Sequence, residues 1–208
     1  MKKRDLNKKV KMLLKERSHI NLNLGCGEEP QRGFINVDML NLPGVDVVWD
    51  LEEYPWPFPE NSIDLIVASQ LVEHVNPHKG NFIKFMDEAW RVLKVHGQFM
   101  LATPYAGSMG YFQDPTHCNP CNEYTWEYFD PISPMTKGAL YLNYRPKPWK
   151  IVENSWYQNG NLEVLLEKRP DDKSYHPPES VEIKDKDITD HHKRQVLLSS
   201  RERNERGK

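Results

Sequence analysis

The sequence predicts a three-layer α/β fold whose mostly parallel sheet ends in an antiparallel β-hairpin. Three features support this fold class. Five short apolar runs each end at a glycine, a proline or a polar residue, as buried parallel strands do. A strongly amphipathic helix is predicted between the fourth and fifth runs. Farther along, an Asn-Gly pair at residues 159–160 separates two more strand-like runs, which is a strong hairpin signal.

The first predicted element is a basic amphipathic helix over residues 1–18. Leu6, Val10 and Leu13 recur there at helical spacing among lysines. Packing of this apolar stripe against the domain is the favoured interpretation, and binding to nucleic acid or an acidic surface is the alternative. Strands are then predicted at residues 20–24, 34–37, 45–49, 63–68 and 98–103, and a second helix at residues 82–93.

The segment after the fifth strand follows no clean period. Residues 105–149 hold six prolines, which predicts an irregular insertion or lid. The hairpin strands are predicted at residues 150–157 and 162–168. Across residues 170–208, the charge and proline content predict a disordered or loosely docked tail. The expected domain therefore spans residues 19–169.

Charge is distributed unevenly along the chain, whose formal net charge is −2. Residues 1–17 carry a net charge of +6 and residues 191–208 carry +4, so the body between them carries −12. An acidic body repels the phosphate backbone of nucleic acids, whereas basic ends attract it. Binding of nucleic acid through the basic termini therefore stays open as an alternative.

Hydropathy and cysteine content predict a cytoplasmic protein. No run of eighteen apolar residues occurs, so no membrane-spanning segment is expected. The charged N-terminus lacks the apolar core and cleavage site of a signal peptide. Cys26, Cys118 and Cys121 are too few for a disulfide scaffold, so reduced thiols are expected. The oligomeric state is left open.

A glycine turn and two acids follow the predicted strands. Gly25-Cys26-Gly27 is a tight turn at which a ligand can approach the main chain. Pro30 occupies the place of the third glycine of a dinucleotide fingerprint, which disfavours nicotinamide and flavin cofactors. Asp38 and Asp50 end the second and third strands, where carboxylates can accept from ribose hydroxyls and an adenine amino group. Read singly, each aspartate is better explained as a turn former or a helix cap.

In their order and spacing, five segments resemble a class I methyltransferase of the type 11 group that depends on S-adenosylmethionine. These segments are INLNLGCG, GFINVD, VDVVWDL, WPFPENSIDLIVASQLVEHV and EAWRVLKVHGQFMLATP. The resemblance implies a Rossmann-like sheet and S-adenosylmethionine as cofactor. It also implies a cofactor site that is formed by Asn23, Gly25, Cys26, Gly27, Asp38, Met39, Asp50, Leu51, Ser69 and Gln70.

Two departures from the family pattern bear on that site. Asn23 replaces the acid that often stands two residues before the first glycine, which weakens any contact with the ammonium group of the cofactor. Only residues 28–33 connect the first two strands, and this is too few for the usual crossover helix. The ribose side of the site is therefore expected to be more open.

The acceptor is expected at residues 105–149, because this segment leaves the carboxyl end of the fifth strand. His117 is the candidate general base and Asp114 its orienting partner, and a proline-stiffened turn is the equal alternative. His74, in a Glu-His pair common in the family, is interpreted as structural, and a general base is the alternative. The Cys-x-x-Cys pair that follows His117 lacks a full ligand set, so no metal site is predicted.

The function predicted from these features is methyl transfer to a small-molecule or sugar-like acceptor. Two alternatives stay open. One is a nucleic-acid or protein methyltransferase that recruits its substrate through the basic termini, and the other is a partner subunit that binds S-adenosylmethionine without catalysis. The sequence does not determine the acceptor or the methylated atom.

Overall fold

A computed structural model of the chain describes residues 3–157 and 160–175. Within these residues, seven strands form one sheet in the order β3-β2-β1-β4-β5-β7-β6. Strands β1 to β5 are parallel, and β7 pairs antiparallel with both β5 and β6. The predicted fold class is confirmed. The strands are β1 (Asn21–Leu24), β2 (Ile35–Asp38), β3 (Val47–Val48), β4 (Ile63–Ser69), β5 (Leu93–Pro104), β6 (Trp149–Trp156) and β7 (Asn161–Lys168).

The described residues contain fewer α-helices than strands. They are α1 (Lys3–Lys15), α2 (Asn81–Val92), α3 (Met109–Phe112) and α4 (Glu123–Glu127), and four single turns of 3-10 helix cover Val72–His74, His78–Gly80, Tyr141–Asn143 and Lys173–Tyr175. None of the helices described is both long and apolar enough to cross a bilayer. Most of the predicted tail, from residue 176 to residue 208, lies outside the described residues, as do residues 158–159 of the hairpin turn.

Two helices contribute their apolar faces to one hydrophobic core. Leu6, Val10 and Leu13 of α1 are buried in it, which accounts for the stripe seen in the sequence. The predicted fifth strand begins earlier than expected, because the chain leaves α2 at Val92 and at once pairs Leu93 with Ile63.

Short connections leave the carboxyl ends of the first strands open. Residues 25–34 between β1 and β2, and residues 39–46 between β2 and β3, contain no helix. An α/β sheet binds its ligands outside these strand ends. A ligand is therefore expected here, where neither connection contains a helix.

The irregular segment over residues 105–148 is anchored on α2 and on the hairpin. The rings of Trp126 and Phe129 pack edge-on against Phe82 at centroid distances of 6.2 and 5.8 Å. Asp130 is buried, accepts hydrogen bonds from the backbone N–H groups of Ile132 and Ile151, and forms an ion pair with Arg169. This carboxylate therefore ties the segment to β6 and to the end of β7.

We expect Asp130→Ala to lower the free energy of unfolding by about 3 kcal/mol, because it leaves a half-buried Arg169 without its partner. Asp171→Ala is the matched control, since its ion pair with Lys147 is largely exposed and contributes about 0–1 kcal/mol. Urea denaturation of both variants checks the difference. Equal losses would show that Asp130 does not anchor the segment.

Candidate functional site

A cleft of about 600 Å³ lies at the carboxyl ends of β2 and β3 and beside the turn after β4. Four of the ten residues predicted to bind a cofactor line it, namely Asp38, Met39, Asp50 and Leu51. These residues follow two different strands and meet because parallel strands end at the same edge of the sheet.

The glycine turn after β1 is tied to the cleft by the hydrogen bond from the N–H of Gly27 to Asp38, although Gly25, Cys26 and Gly27 do not themselves line the cleft. The φ angles of Gly25 and Gly27 are 63° and 50°, in the left-handed region that favours glycine. A Cβ atom on Gly25 would lie 2.8 Å from Cδ1 of Leu71, whereas one on Gly27 would meet nothing within 4 Å. The main chain at Gly27 is therefore open to a ligand. Cys26 between them is buried, and burial raises the pKa of its thiol.

Asp38 is held in place by two backbone hydrogen bonds. Its Oδ2 accepts from the N–H of Gly27 and its Oδ1 from the N–H of Leu40, both at 2.8 Å. A carboxylate offers about four acceptor positions, so each oxygen keeps capacity for one more donor. Two adjacent hydroxyls, as on a ribose ring, supply two such donors.

Asp50 and Leu51 combine a polar and an apolar contact surface. Oδ1 of Asp50 accepts from the N–H of Glu52 at 2.9 Å, and the carboxylate is otherwise exposed to the cleft. Leu51 beside it is buried. A planar base with an exocyclic amino group fits this pair, because the ring packs on the leucine while the amino group donates to the carboxylate.

Asn23 lies outside this cleft lining. Its side chain is buried and donates to Oδ1 of Asn36 at 3.0 Å and to the carbonyl oxygen of Glu29 at 3.3 Å. Oδ1 of Asn36 also accepts from the N–H of Gln31. The asparagine that replaces the expected acid therefore fastens the short connection between β1 and β2.

Ser69 and Gln70 are exposed at the end of β4 and also lie outside the cleft lining. Gln70 has a φ of 52° and donates its N–H to the carbonyl oxygen of Ala102. The next residue, Leu71, does line the cleft. The sequence prediction missed Leu71, although its position directly after the polar end of β4 was a usable signal.

A second group of polar side chains borders the cleft through His74. Glu73, next to it, is fully buried, and its Oε2 accepts from the hydroxyl of Thr103 at 3.0 Å. Its Oε1 is buried without a hydrogen-bond partner. Burial raises the pKa of this carboxyl above its usual value.

The predicted pair His117 and Asp114 is arranged differently from the expectation. Nδ1 of His117 donates to the carbonyl oxygen of Tyr111 at 2.8 Å, since a carbonyl can only accept. Nε2 lies 3.9 Å from Oδ2 of Asp114, which is too long for a hydrogen bond. Tyr111 therefore orients the ring, and Asp114 does not orient it directly.

Asp114 instead holds Thr116. Its Oδ1 accepts from the hydroxyl of Thr116 at 2.7 Å and from its N–H at 2.8 Å, and these bonds lower the pKa of the carboxyl. The hydroxyl oxygen of Thr116 lies 3.1 Å from Nδ1 of His74. The structure therefore connects His74, for which the sequence favoured a structural role over that of a general base, to the segment after β5.

The two cysteines that follow His117 have different surroundings. Cys118 is exposed, whereas Cys121 is buried, and burial raises the pKa of its thiol to about 12. A metal-bound cysteine is a thiolate, so the environment of Cys121 disfavours a metal clamp formed by this pair.

A family model matches part of the chain. Residues 29–101 match the family model described as a methyltransferase domain, of the type 11 group. A search among curated proteins found no match. The matched region begins after the glycine turn and ends within β5, so it contains the ends of β2, β3 and β4 that border the cleft.

Solved structures share the fold at low sequence identity. A SAM dependent methyltransferase from Archaeoglobus fulgidus is 17% identical with a TM-score of 0.50, over 80% of this chain and 94% of that chain. The YcgJ protein from Bacillus subtilis is 15% identical with a TM-score of 0.48, over 78% of this chain and 99% of that chain. The Archaeoglobus structure supports the same architecture of the sheet.

Proposed function

We propose that this chain is a class I methyltransferase, because its residues 29–101 match the family model of a methyltransferase domain of the type 11 group. It uses S-adenosylmethionine to methylate a small-molecule or sugar-like acceptor. The observation that carries this proposal is the meeting of Asp38 and Asp50 along one cleft. A nucleoside needs one contact to its sugar and another to its base, and these two carboxylates supply both.

The side chains around the cleft fit an adenosine group. Asp38 would accept from the two ribose hydroxyls through its remaining lone pairs. Asp50 would accept from the adenine amino group, and Leu51 would pack on the ring. Gly27 leaves its main chain open to the ligand. When bound, S-adenosylmethionine supplies an activated methyl group on a sulfonium.

The acceptor would contact the segment over residues 105–149. Nε2 of His117 is the ring nitrogen left for a substrate, because Nδ1 is bound to Tyr111. It would accept the proton of an attacking hydroxyl or amine. Phe112 and Tyr124 are exposed in the same segment and offer apolar surface to a polar acceptor's carbon skeleton.

One observation favours the alternative of a nucleic-acid or protein acceptor. Lys8, Lys11 and Lys15 are exposed on α1 while its apolar side is buried, so the helix presents basic side chains to the solvent. The second basic region, residues 191–208, lies outside the described residues. An affinity for nucleic acid that falls steeply with salt concentration would favour this alternative.

Isothermal titration calorimetry with the full chain tests the cofactor. We expect S-adenosylmethionine and S-adenosylhomocysteine to bind at one site, and NAD to bind at least tenfold more weakly because Pro30 interrupts the dinucleotide turn. Preference for NAD, or no binding of either nucleoside, would contradict the proposal.

Labelled S-adenosylmethionine then tests the acceptor class. Label should transfer to polar metabolite fractions of a cell extract in preference to its nucleic-acid or protein fractions. Label in nucleic acid or protein would favour recruitment through the basic termini. Tight cofactor binding with no transfer to any fraction would favour a non-catalytic partner subunit.

A further inference from the structure

We propose that Glu73, His74 and His117 form a binding site for one divalent transition-metal cation beside the cleft. Each of these residues offers one ligand atom, and the three atoms lie within 4.8 Å of one another. The rings of the two histidines are in edge-to-face contact, with centroids 4.7 Å apart. Two imidazoles and one carboxylate are a ligand set typical of zinc and related cations.

The first observation behind this site is the unsatisfied oxygen of Glu73. The side chain is fully buried, and Oε1 has no hydrogen-bond partner, whereas Oε2 is bound by Thr103. A buried polar atom without a partner costs free energy. A cation at Oε1 would remove that cost and balance the negative charge of the ionised carboxylate.

The second observation is that both histidines are held in the tautomer that a metal ligand needs. Nδ1 of His117 donates to the carbonyl oxygen of Tyr111. The single hydroxyl proton of Thr116 is donated to Asp114, so the hydroxyl oxygen must accept from Nδ1–H of His74. Both rings therefore keep a lone pair on Nε2, and outer hydrogen bonds of this kind orient metal-binding histidines.

The position of Asp114 follows from the same arrangement. It lies at the end of a chain of hydrogen bonds that runs from His74 through Thr116 to its carboxylate. Carboxylates in this outer position raise the basicity of a metal-binding imidazole. Asp114 is thus a positioning residue for His74.

The ligand set selects the class of cation. Calcium and magnesium take oxygen ligands almost exclusively, so two imidazoles favour zinc, iron(II), nickel or copper. Ligands of a tetrahedral zinc ion lie about 3.3 Å apart when each is 2.0 Å from the metal. The exposed ring of His74 can move closer to the other two ligands without repacking the core. Three protein ligands leave a coordination position open, and His74 lines the cleft.

One consequence rests on the proposed function, whereas metal binding itself does not. An acceptor hydroxyl at the open position would release its proton to the solvent of the cleft more readily, because a bound cation lowers the pKa of an oxygen ligand. Nε2 of His117 would then bind the cation instead of accepting that proton. The site would thereby favour a hydroxyl acceptor over an amine.

Metal titration of the chelator-stripped full chain tests the site. We expect one equivalent of Zn²⁺ to bind, one equivalent of Co²⁺ to give visible d–d absorption, and Mg²⁺ to bind at least a hundredfold more weakly. His74→Ala and His117→Ala should each weaken Zn²⁺ affinity at least tenfold. Glu73→Gln should do the same, and the two histidine variants keep the test valid if that buried substitution prevents folding.

Two matched variants act as controls. His78→Ala removes an exposed histidine outside the cluster, and Cys118→Ser removes the exposed thiol beside His117. Both should bind Zn²⁺ as the wild type does. Loss of binding in Cys118→Ser with retention in His74→Ala would overturn the site in favour of the cysteine pair, and equal affinity in all variants would overturn it outright. S-adenosylmethionine titrated into the same proteins tests the proposed function separately.

Discussion

Replacing Asp38 with alanine is expected to weaken binding of S-adenosylmethionine at least tenfold, or about 1.4 kcal/mol. The carboxylate supplies two charged hydrogen bonds to the ribose hydroxyls in the proposed complex, and hydrogen bonds to a charged group contribute about 1.5–3 kcal/mol each. The same change removes acceptors for the N–H groups of Gly27 and Leu40, so the glycine turn loses its fixed position. Isothermal titration calorimetry measures the loss.

Asp38→Asn separates these two effects. The amide keeps one acceptor oxygen and the shape of the side chain, so we expect an intermediate affinity. Asp64→Asn is the matched control, because this aspartate binds Lys94 and the N–H of Ile20 at the opposite end of β4. Affinity in Asp38→Ala equal to that of the control would contradict the ribose contact, provided that both variants melt as folded proteins.

His117→Ala is expected to lower turnover about a hundredfold or more while S-adenosylmethionine affinity stays within twofold of the wild type. Nε2 is the one ring nitrogen available, because Nδ1 is bound to Tyr111, and alanine removes both. The same loss follows whether Nε2 accepts a proton or binds a cation, and the Zn²⁺ titration distinguishes the two roles. Transfer of label to the extract fraction methylated by the wild type measures turnover.

Asp114→Asn is the matched variant for this prediction. Its carboxylate lies 3.9 Å from Nε2 of His117 and acts through Thr116 on His74, so a smaller loss of turnover is expected. Full turnover in His117→Ala would reject a catalytic role and leave the residue as part of a proline-stiffened turn. A larger loss of turnover in Asp114→Asn than in His117→Ala would contradict the role assigned to the hydrogen-bond chain from His74 through Thr116 to Asp114.

The strands and the position of the cleft could be predicted from the sequence for a local reason. A buried parallel strand reads as a short apolar run, and the residue that ends it stands at the ligand-binding edge. Asp38, Asp50 and Leu51 line one cleft, and this could be predicted without knowledge of the remaining fold. The absence of a crossover helix after β1 followed from the length of residues 28–33 in the same way.

The tertiary structure alone brought Glu73 and His74 to His117. The segment over residues 105–149 has no repeating pattern, so its path depends on packing of the whole segment against α2 and the hairpin. The same is true of Asn23, which the family resemblance assigned to the cofactor site and whose side chain instead donates to Asn36 in the structure. Hydrophobic periodicity predicts single helices and strands. Hydrogen bonds between distant segments depend instead on which polar groups the packed chain brings together and leaves to be satisfied.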